Sequence, residues 1–193
     1  MKADRYCCFT ELERNEKRGR DFVITTVRRA TSNCLVLAPH GGGIERGTSD
    51  IARAIAGENF NLYLFEGVKP AGNEGLHITS SRFDEPSCLD ILSSCDLVVA
   101  VHGCKGETER VLLGGLHRTL MSEISDSLQN RGIHVESSGH PFPATDPMNI
   151  CNRGRSREGV QLELSSALRR SQNRHRVVDA MRAVLLARES GTP

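Results

Sequence analysis

The sequence predicts one α/β domain built on a mixed, mostly parallel sheet that is flanked by helices. Short β-rich apolar runs alternate with helical patterns along the chain. Two of these runs, residues 34–38 and 97–101, are apolar at every position, which is typical of central strands covered on both faces. The 193 residues contain no internal repeat and are enough for one domain with a sizeable core.

The strands and helices can be placed in chain order. Eight apolar runs predict strands at 22–27, 34–38, 62–65, 77–79, 97–101, 111–113, 134–135 and 160–164. Three amphipathic patterns predict helices at 48–57, with a polar cap at its start, at 120–132, with a glycine at its end, and at 177–185. We expect one domain over residues 1–193, with a core of about 22–190 and a peripheral N-terminal segment at 1–20.

Composition narrows the functions that this chain could have. Its 25 basic and 24 acidic residues give a net charge of +1, which argues against a dedicated nucleic-acid binder. Residues 1–20 lack an apolar segment and no apolar run approaches 18 residues, so we expect a cytoplasmic protein without a membrane span. If a phage encodes it, lysis of the host would release it. The seven cysteines form no CxxC pair, which indicates reduced thiols, and we expect a monomer.

Two predicted strands lead into histidines at their carboxyl ends, His40 and His102, and a glycine follows each. Ligands of open α/β sheets bind at this edge of the sheet. Glu45 follows His40 after three glycines, which accept positive φ and would let the chain fold back and leave room for a ligand. Two histidines and one carboxylate are a ligand set of catalytic zinc, with a fourth position for water.

Other interpretations of these residues stay open. A single histidine is more often a surface or core residue than a ligand, and we take this as the default for His77, His117, His134, His140 and His175. A glycine-rich loop after a strand can bind phosphate, although this one lacks the Lys-Ser/Thr of a P-loop. A His-Gly-Gly-Gly stretch also forms the oxyanion loop of lipases, but the chain has no Gly-x-Ser-x-Gly motif to supply the nucleophile.

A hydrolase also needs a general base, and the predicted strand at 160–164 offers one. Its apolar side chains face one side, so Gln161 and Glu163 face the other. A buried carboxylate there is costly without a partner, so Glu163 either pairs with an arginine or points into the site. The irregular stretch 137–157 contains three prolines and is the candidate wall of the site.

Five motifs occur in the order APHGGGIE, LHITSSRFDEP, VVAVHG, CNRG and GVQLEL. Together they resemble the poly-γ-glutamate hydrolase family of phages and bacilli over about residues 34–170. That family is similar in fold to the zinc carboxypeptidases and, more distantly, to the N-formylglutamate amidohydrolases. The resemblance implies a zinc carboxypeptidase-like α/β fold and an amide hydrolase that holds one Zn²⁺ ion. The chain departs from carboxypeptidases because four residues, not two, separate His40 from Glu45.

The resemblance implies a function for each matching residue. His40, Glu45 and His102 would bind the zinc ion. Glu163 would be the general base and would return its proton to the leaving amine. Arg153, with Asn152 before it, resembles the Asn-Arg pair with which carboxypeptidases hold a substrate carboxylate, and it would also face the oxyanion.

The implied substrate is poly-γ-glutamate, a polyanionic capsule polymer whose γ-amide links would be cleaved. Arginine binds carboxylates through paired N–H groups, so Arg82 and Arg155 join Arg153 as candidate substrate-binding residues. For Arg155, a solvated position in a loop is an equal alternative. Small acyl-glutamate or peptide amides are a second substrate class. A non-enzymatic phage or host interaction protein on the same fold is a third possibility, and it would need no stoichiometric zinc.

Overall fold

A seven-stranded mixed sheet organises the chain in the computed structural model, which describes residues 4–191. The strands are β1 (Phe22–Val27), β2 (Cys34–Gly42), β3 (Asn61–Gly67), β4 (Leu97–Cys104), β5 (Val111–Gly115), β6 (Val135–Glu136) and β7 (Val160–Ser165). Their order is β1-β3-β2-β4-β7-β5-β6. The four central strands β3, β2, β4 and β7 are parallel, whereas β1 and β5 run antiparallel to the strands they join. The predicted mixed, mostly parallel sheet is confirmed.

The predicted strand at 77–79 is wrong, because these residues form a loop after a 3-10 helix at Asn73–Leu76. The side chain of Asp4 accepts a hydrogen bond from the Thr79 amide at 2.7 Å and contacts His77 Nδ1 at 2.7 Å. A side chain thereby takes the place of a neighbouring strand as the hydrogen-bond partner of this segment.

Six α-helices cover the sheet in the described part of the chain. They are α1 (Phe9–Asn15), α2 (Thr48–Ala56), α3 (Pro86–Leu92), α4 (Arg118–Gln129), α5 (Ser166–Arg170) and α6 (Arg174–Glu189). The three predicted helices correspond to α2, α4 and α6. The other three have seven residues or fewer, which is too short for a clear 3.6-residue period in the sequence. Within residues 4–191, no helix is long and apolar enough to cross a membrane.

Each face of the sheet carries its own apolar core. Helices α2, α4 and α6 pack on one face, where Val36 of β2 and Leu162 of β7 are buried. Helices α1 and α3 pack on the other face, where Leu35 and Leu37 of β2 are buried. Strand β2 is therefore apolar at successive positions because both of its faces are covered.

The N-terminal segment belongs to the second core, although we expected residues 1–20 to be peripheral. Tyr6, Phe9 and Leu12 are buried there. The ring of Phe9 meets that of Phe22 edge-on, with 5.9 Å between the centroids. Positions three apart on α1 share one face, so its charged residues stay in solvent while Phe9 and Leu12 face the sheet. Residues 1–3 lie outside the described part of the chain.

We predict that Leu12→Ala lowers the free energy of unfolding by about 2–5 kcal/mol, because it opens a cavity under fully buried neighbours. The neighbouring exposed residue supplies the control, and Glu13→Ala should change stability by less than about 0.5 kcal/mol. Urea unfolding followed by circular dichroism measures both variants. Equal midpoints for the two would show that α1 adds nothing to the core.

Candidate metal centre

The carboxyl ends of β2, β4 and β7 lie at one edge of the sheet and form the floor of a cavity of about 650 Å³. Strand β4 lies between the other two and pairs in parallel with both. The register of β4 and β7 sets His102 directly beside Glu163. His40, Glu45, His102 and Glu163 all line this cavity. Residues from three widely separated segments of the sequence are thus brought together.

The side chains of His40, Glu45 and His102 converge through their polar atoms. The two Nδ1 atoms of His40 and His102 are 3.1 Å apart. Glu45 Oε1 lies 3.3 Å from His40 Nδ1, and Glu45 Oε2 lies 3.7 Å from His102 Nδ1. Ligand bonds of about 2.0–2.2 Å around a tetrahedral zinc ion place the donor atoms about 3.3–3.6 Å apart. The three measured separations are close to this value, so the donor set fits a zinc ion.

The backbone around these side chains fixes their orientation. His40 Nε2 lies 2.8 Å from the carbonyl oxygen of Ile78, so Nε2 carries the proton that is donated to that oxygen. His40 Nδ1 therefore presents its lone pair towards His102 Nδ1 in the neutral ring. Two lone pairs at this distance repel each other unless a proton or a cation lies between them. The Gly103 amide donates to Glu45 Oε2 at 2.7 Å and holds the carboxylate against the end of β4.

The electrostatics of the cluster determine the protonation states of Glu45 and His102. Burial alone would raise the pKa of Glu45, but the imidazoles of His40 and His102 and the Gly103 amide outweigh it and lower the pKa to about 2. Burial and the charge of His40 lower the pKa of His102 to about 3. For His40 burial lowers the pKa, but the Glu45 carboxylate, the Ile78 carbonyl and Asp4 together outweigh burial and the net shift is upward. Glu45 is therefore ionised and His102 neutral near neutral pH.

We expected the three glycines after His40 to leave room for a ligand, but they instead bring protein segments into close contact. A Cβ on Gly41 would lie 2.1 Å from Ser49 Oγ. Gly42 has φ +61°, and a Cβ there would lie 2.4 Å from the carbonyl oxygen of Gly67. This close packing folds the loop back, so that the amide of Glu45 donates to the carbonyl oxygen of His40 at 2.9 Å.

His77 also belongs to this cluster, contrary to the default that we assigned to it. Its ring stacks on that of His40 with 4.0 Å between the centroids, and it lines the cavity. The ligand atoms of His40, Glu45 and His77 all lie within 4.8 Å of one another, so these three residues could hold a metal ion. His77 Nδ1 contacts Asp4 Oδ1 at 2.7 Å, which leaves Nε2 as its available donor. His102 is the alternative third ligand, and its Nδ1 lies 3.1 Å from His40 Nδ1 and 3.7 Å from Glu45 Oε2.

Glu163 lies in a buried network without a salt bridge among the described residues. Its Oε1 accepts a hydrogen bond from Gln161 Nε2 at 3.1 Å, and Asn149 Nδ2 donates to Gln161 Oε1 at 3.1 Å. Burial, followed by the charge of Glu45, raises the pKa of Glu163 well above its ordinary value, and Arg169 opposes them. The hydrogen bonds of Arg169 go to backbone carbonyl oxygens. The geometry therefore agrees with a carboxyl that points into the site.

The expected substrate-binding arginines are not among the residues that line the cavity. Arg153 Nη1 donates to the carbonyl oxygen of Phe83 at 2.8 Å, so it ties two loops together. Arg82 is half exposed, and its Nη2 donates to Asp4 Oδ2 at 2.6 Å. Arg155 pairs with Asp96, which precedes β4 and thus lies at the opposite edge of the sheet. Each guanidinium has an internal partner that the sequence pattern did not reveal.

The irregular stretch 137–157 does form a wall of the cavity, through residues 141–144, Asp146 and Asn149. Asn152 holds this wall in place and does not line the cavity. Its Nδ2 donates to the carbonyl oxygens of Ala144 and Asp146 at 2.8 and 2.9 Å. Its Oδ1 accepts from the amides of Leu116 and Gly159, both at 3.2 Å.

Several cavity residues were missed in the sequence. Arg110 and Asn149 lie outside the five motifs, and His77, although it lies inside LHITSSRFDEP, has no metal-ligand spacing that would identify it. Arg110 could have been found from strand alternation, because it lies two residues before Leu112, which pairs with Glu163. That inference requires the pairing of β5 with β7, which the sequence does not specify.

The fold and the cavity define a class of single-domain α/β proteins with a candidate metal centre at the carboxyl edge of the sheet. Within that class, the family model for poly-gamma-glutamate hydrolase matches residues 6–182, and the chain belongs to this family.

Two curated relatives come from Bacillus subtilis (strain 168). The SPbeta prophage-derived UPF0714 protein YoqZ is 39% identical over 172 residues, which are 88% of this chain and 62% of the relative. The UPF0714 protein YndL is 39% identical over 170 residues, which are 87% of this chain and 66% of the relative. The chain thus spans less than two thirds of the length of either relative.

Solved structures give the same assignment. A bacteriophage poly-gamma-glutamate hydrolase is 35% identical, with a TM-score of 0.93 over 99% of this chain and 100% of that one. Zinc-free YNDL in its apo form is 33% identical, with a TM-score of 0.88 over 95% and 98% of the two chains. N-formylglutamate amidohydrolase from Ralstonia eutropha JMP134 shares the fold at 11% identity, with a TM-score of 0.59 over 89% and 98%. The fold class predicted from the sequence is confirmed.

We predict that His102→Ala abolishes stoichiometric zinc binding, because it removes a donor that lies within 3.1 Å of His40 Nδ1. His77→Ala should weaken zinc binding by no more than about 10- to 100-fold, the usual effect of a group that supports the ligands without binding the metal. His134→Ala is the control, since that ring is 63% exposed and lies outside the cavity. Zinc per chain is measured by mass spectrometry on folded protein. Loss of zinc in His77→Ala with retention in His102→Ala would reverse the assignment.

Proposed function

We propose that this chain is a zinc-dependent hydrolase that cleaves the γ-glutamyl amide bonds of poly-γ-glutamate. The observation that carries the proposal is the convergence of His40, Glu45 and His102 in one cavity with the buried carboxyl of Glu163. Membership of the poly-gamma-glutamate hydrolase family supports both the reaction class and the substrate class.

His40, Glu45 and His102 would hold one zinc ion, since their donor atoms surround a single point. When bound, the ion would supply Lewis-acid chemistry, activating water and polarising the amide carbonyl. His40 is held for this purpose by its hydrogen bond to Ile78, and Glu45 by its hydrogen bond from Gly103. Such supporting contacts orient the ligands, and the contact with Ile78 fixes the tautomer of neutral His40.

Glu163 would act as the general base and then as the general acid. It accepts the proton of the attacking water and transfers it to the leaving nitrogen of the amide. Its place beside His102 on the neighbouring strand puts it at the same sheet edge as the proposed ligands. Its raised pKa, caused first by burial, favours the return of the proton to the leaving group. Gln161 holds the carboxyl in position through the hydrogen bond to Oε1.

All of the proposed residues come from a single chain, so the site needs no second copy. The expected monomer stays a prediction. The alternative of a non-enzymatic interaction protein requires neither the metal nor Glu163, and stoichiometric zinc would argue against it.

The proposed activity is tested by incubating the protein with poly-γ-glutamate and analysing the products. We expect shorter γ-glutamyl oligomers with one new amino group per cleavage, and loss of the activity with a zinc chelator. Intact polymer after incubation with zinc-loaded protein would contradict the proposal. If the same assay releases amine from a small acyl-glutamate instead, the substrate is a small acyl-glutamate or peptide amide.

We predict that Glu163→Gln retains the fold and the bound zinc but lowers kcat by about 10²- to 10⁴-fold, because the amide cannot accept a proton from water. The glutamine oxygen can still accept the hydrogen bond from Gln161, so packing should survive. Glu158→Gln is the control, since that carboxyl is exposed and outside the cavity. Rate, melting temperature and zinc content are measured on one preparation. A Glu163→Gln protein that melts earlier but turns over normally would make Glu163 a structural residue.

A further inference from the structure

One guanidinium in the cavity has no function in the proposal above. Arg110 immediately precedes β5 and lines the cavity. Its Nη1 donates to Glu136 Oε1 at 2.9 Å. Its Nε is buried and has no hydrogen-bond partner among residues 4–191. Buried donors without partners are rare in folded proteins, and one that lines a cavity points to a ligand.

The Nε atom, which lacks a partner, lies on the edge of the guanidinium that binds carboxylates side-on. Elsewhere in this protein, Arg188 holds Glu123 with Nε and Nη2 together, and Nε is 2.7 Å from the carboxylate. Arg110 meets Glu136 through Nη1 instead, on the far side of the group. The contact with Glu136 orients the Nε–Nη2 edge, which is the geometry of a two-bond carboxylate site.

The position of Arg110 relative to Glu163 follows from the register of β5 and β7. Leu112 pairs with Glu163, and side chains two residues apart on a strand share a face. Arg110 is therefore on the same face as Glu163, displaced by about 6.8 Å along the strand. Its backbone is fixed by Ser165, whose Oγ accepts from the Arg110 amide at 3.2 Å and whose amide donates to the Arg110 carbonyl oxygen at 3.1 Å.

The charges in the cavity also support a substrate-binding function for Arg110. Glu45, Asp146 and Glu163 line it with three carboxyl groups, and the only lysine or arginine side chains that join them in the described chain are Lys105 and Arg110. Each unit of a γ-linked glutamate chain carries a free α-carboxylate, about 5 Å from its own γ-carbonyl carbon when bonds of about 1.5 Å are extended. That spacing matches an amide held beside Glu163 with its carboxylate at Arg110.

We infer that Arg110 binds the α-carboxylate of the glutamyl unit whose γ-carbonyl is attacked, and thereby selects acidic over neutral chains. This inference rests on the proposed function of the same site. Arg110 is a specificity-determining residue here, because it touches the substrate away from the bond that breaks. A chain whose free carboxylates are neutralised would leave the guanidinium edge without a partner.

The test compares two substrates and two substitutions. One substrate is a γ-glutamyl oligomer, and the other is the same oligomer with its α-carboxylates converted to amides. We expect Arg110→Ala to lower kcat/KM for the acidic oligomer by about 10- to 100-fold, the range for a charge-assisted pair, and to leave the amidated one almost unchanged. Arg110→Lys keeps the charge but loses the fork, so its loss should be intermediate. Arg28→Ala is the control, since that arginine pairs with Asp90 on the surface.

A binding measurement distinguishes failure of this inference from failure of the proposed function. Calorimetry measures the acidic oligomer on zinc-loaded Glu163→Gln protein, with and without Arg110→Ala. Cleavage by wild type with unchanged selectivity and binding in the Arg110 variants would overturn the inference and leave the function standing. Absence of cleavage combined with Arg110-dependent binding would overturn the function and retain the carboxylate site. Melting temperatures confirm that every variant is folded.

Discussion

The buried charge of the Glu45 carboxylate is the constraint on which the rest of this site depends. The side chain is only 16% exposed, yet it stays ionised. A buried carboxylate that loses its partners destabilises a protein by several kcal/mol, so each partner must be held in place. The Gly103 amide at the end of β4 and the two imidazoles supply that compensation. The loop after β2 and the end of β4 are thereby fixed relative to each other.

The same constraint explains the composition of the loop. Glycines at 41, 42 and 43 let β2 pack so closely on its neighbours that a methyl group would clash at each position. That approach turns the chain back on itself within a few residues and delivers Glu45 to His40. Glycine is used here mainly for proximity, and for positive φ at Gly42.

The site also contains interactions that a purely structural sheet edge would avoid. Two Nδ1 atoms face each other at 3.1 Å, and burial, followed by the charge of Glu45, raises the pKa of the Glu163 carboxyl. The rest of the domain offsets the cost of these groups with two apolar cores, and helix α1 packs in the second of them. Asp4, ahead of that helix, holds His77 and Arg82, so the start of the described chain also supports the cavity. Locally unfavourable groups on an otherwise consistent fold are typical of functional sites.

The sequence by itself determined the features that depend on short-range spacing. The continuous apolar runs identified β2 and β4, their ends identified His40 and His102, and strand alternation put Glu163 on the polar face. The amphipathic patterns identified the three longest helices, whereas α1 has too few turns to show a period.

Only the tertiary structure decided which distant groups meet. The sequence could not assign Arg153 to the Phe83 carbonyl, 70 residues away, or give Arg110 a place beside β7. Nor could it bring His77 onto the ring of His40 or bury α1. Periodicity and apolarity are properties of neighbours along the chain, so one sequence reports them directly. The partner of an arginine or a histidine is set by strand order and loop packing, which arise only when remote segments compete for the same contacts.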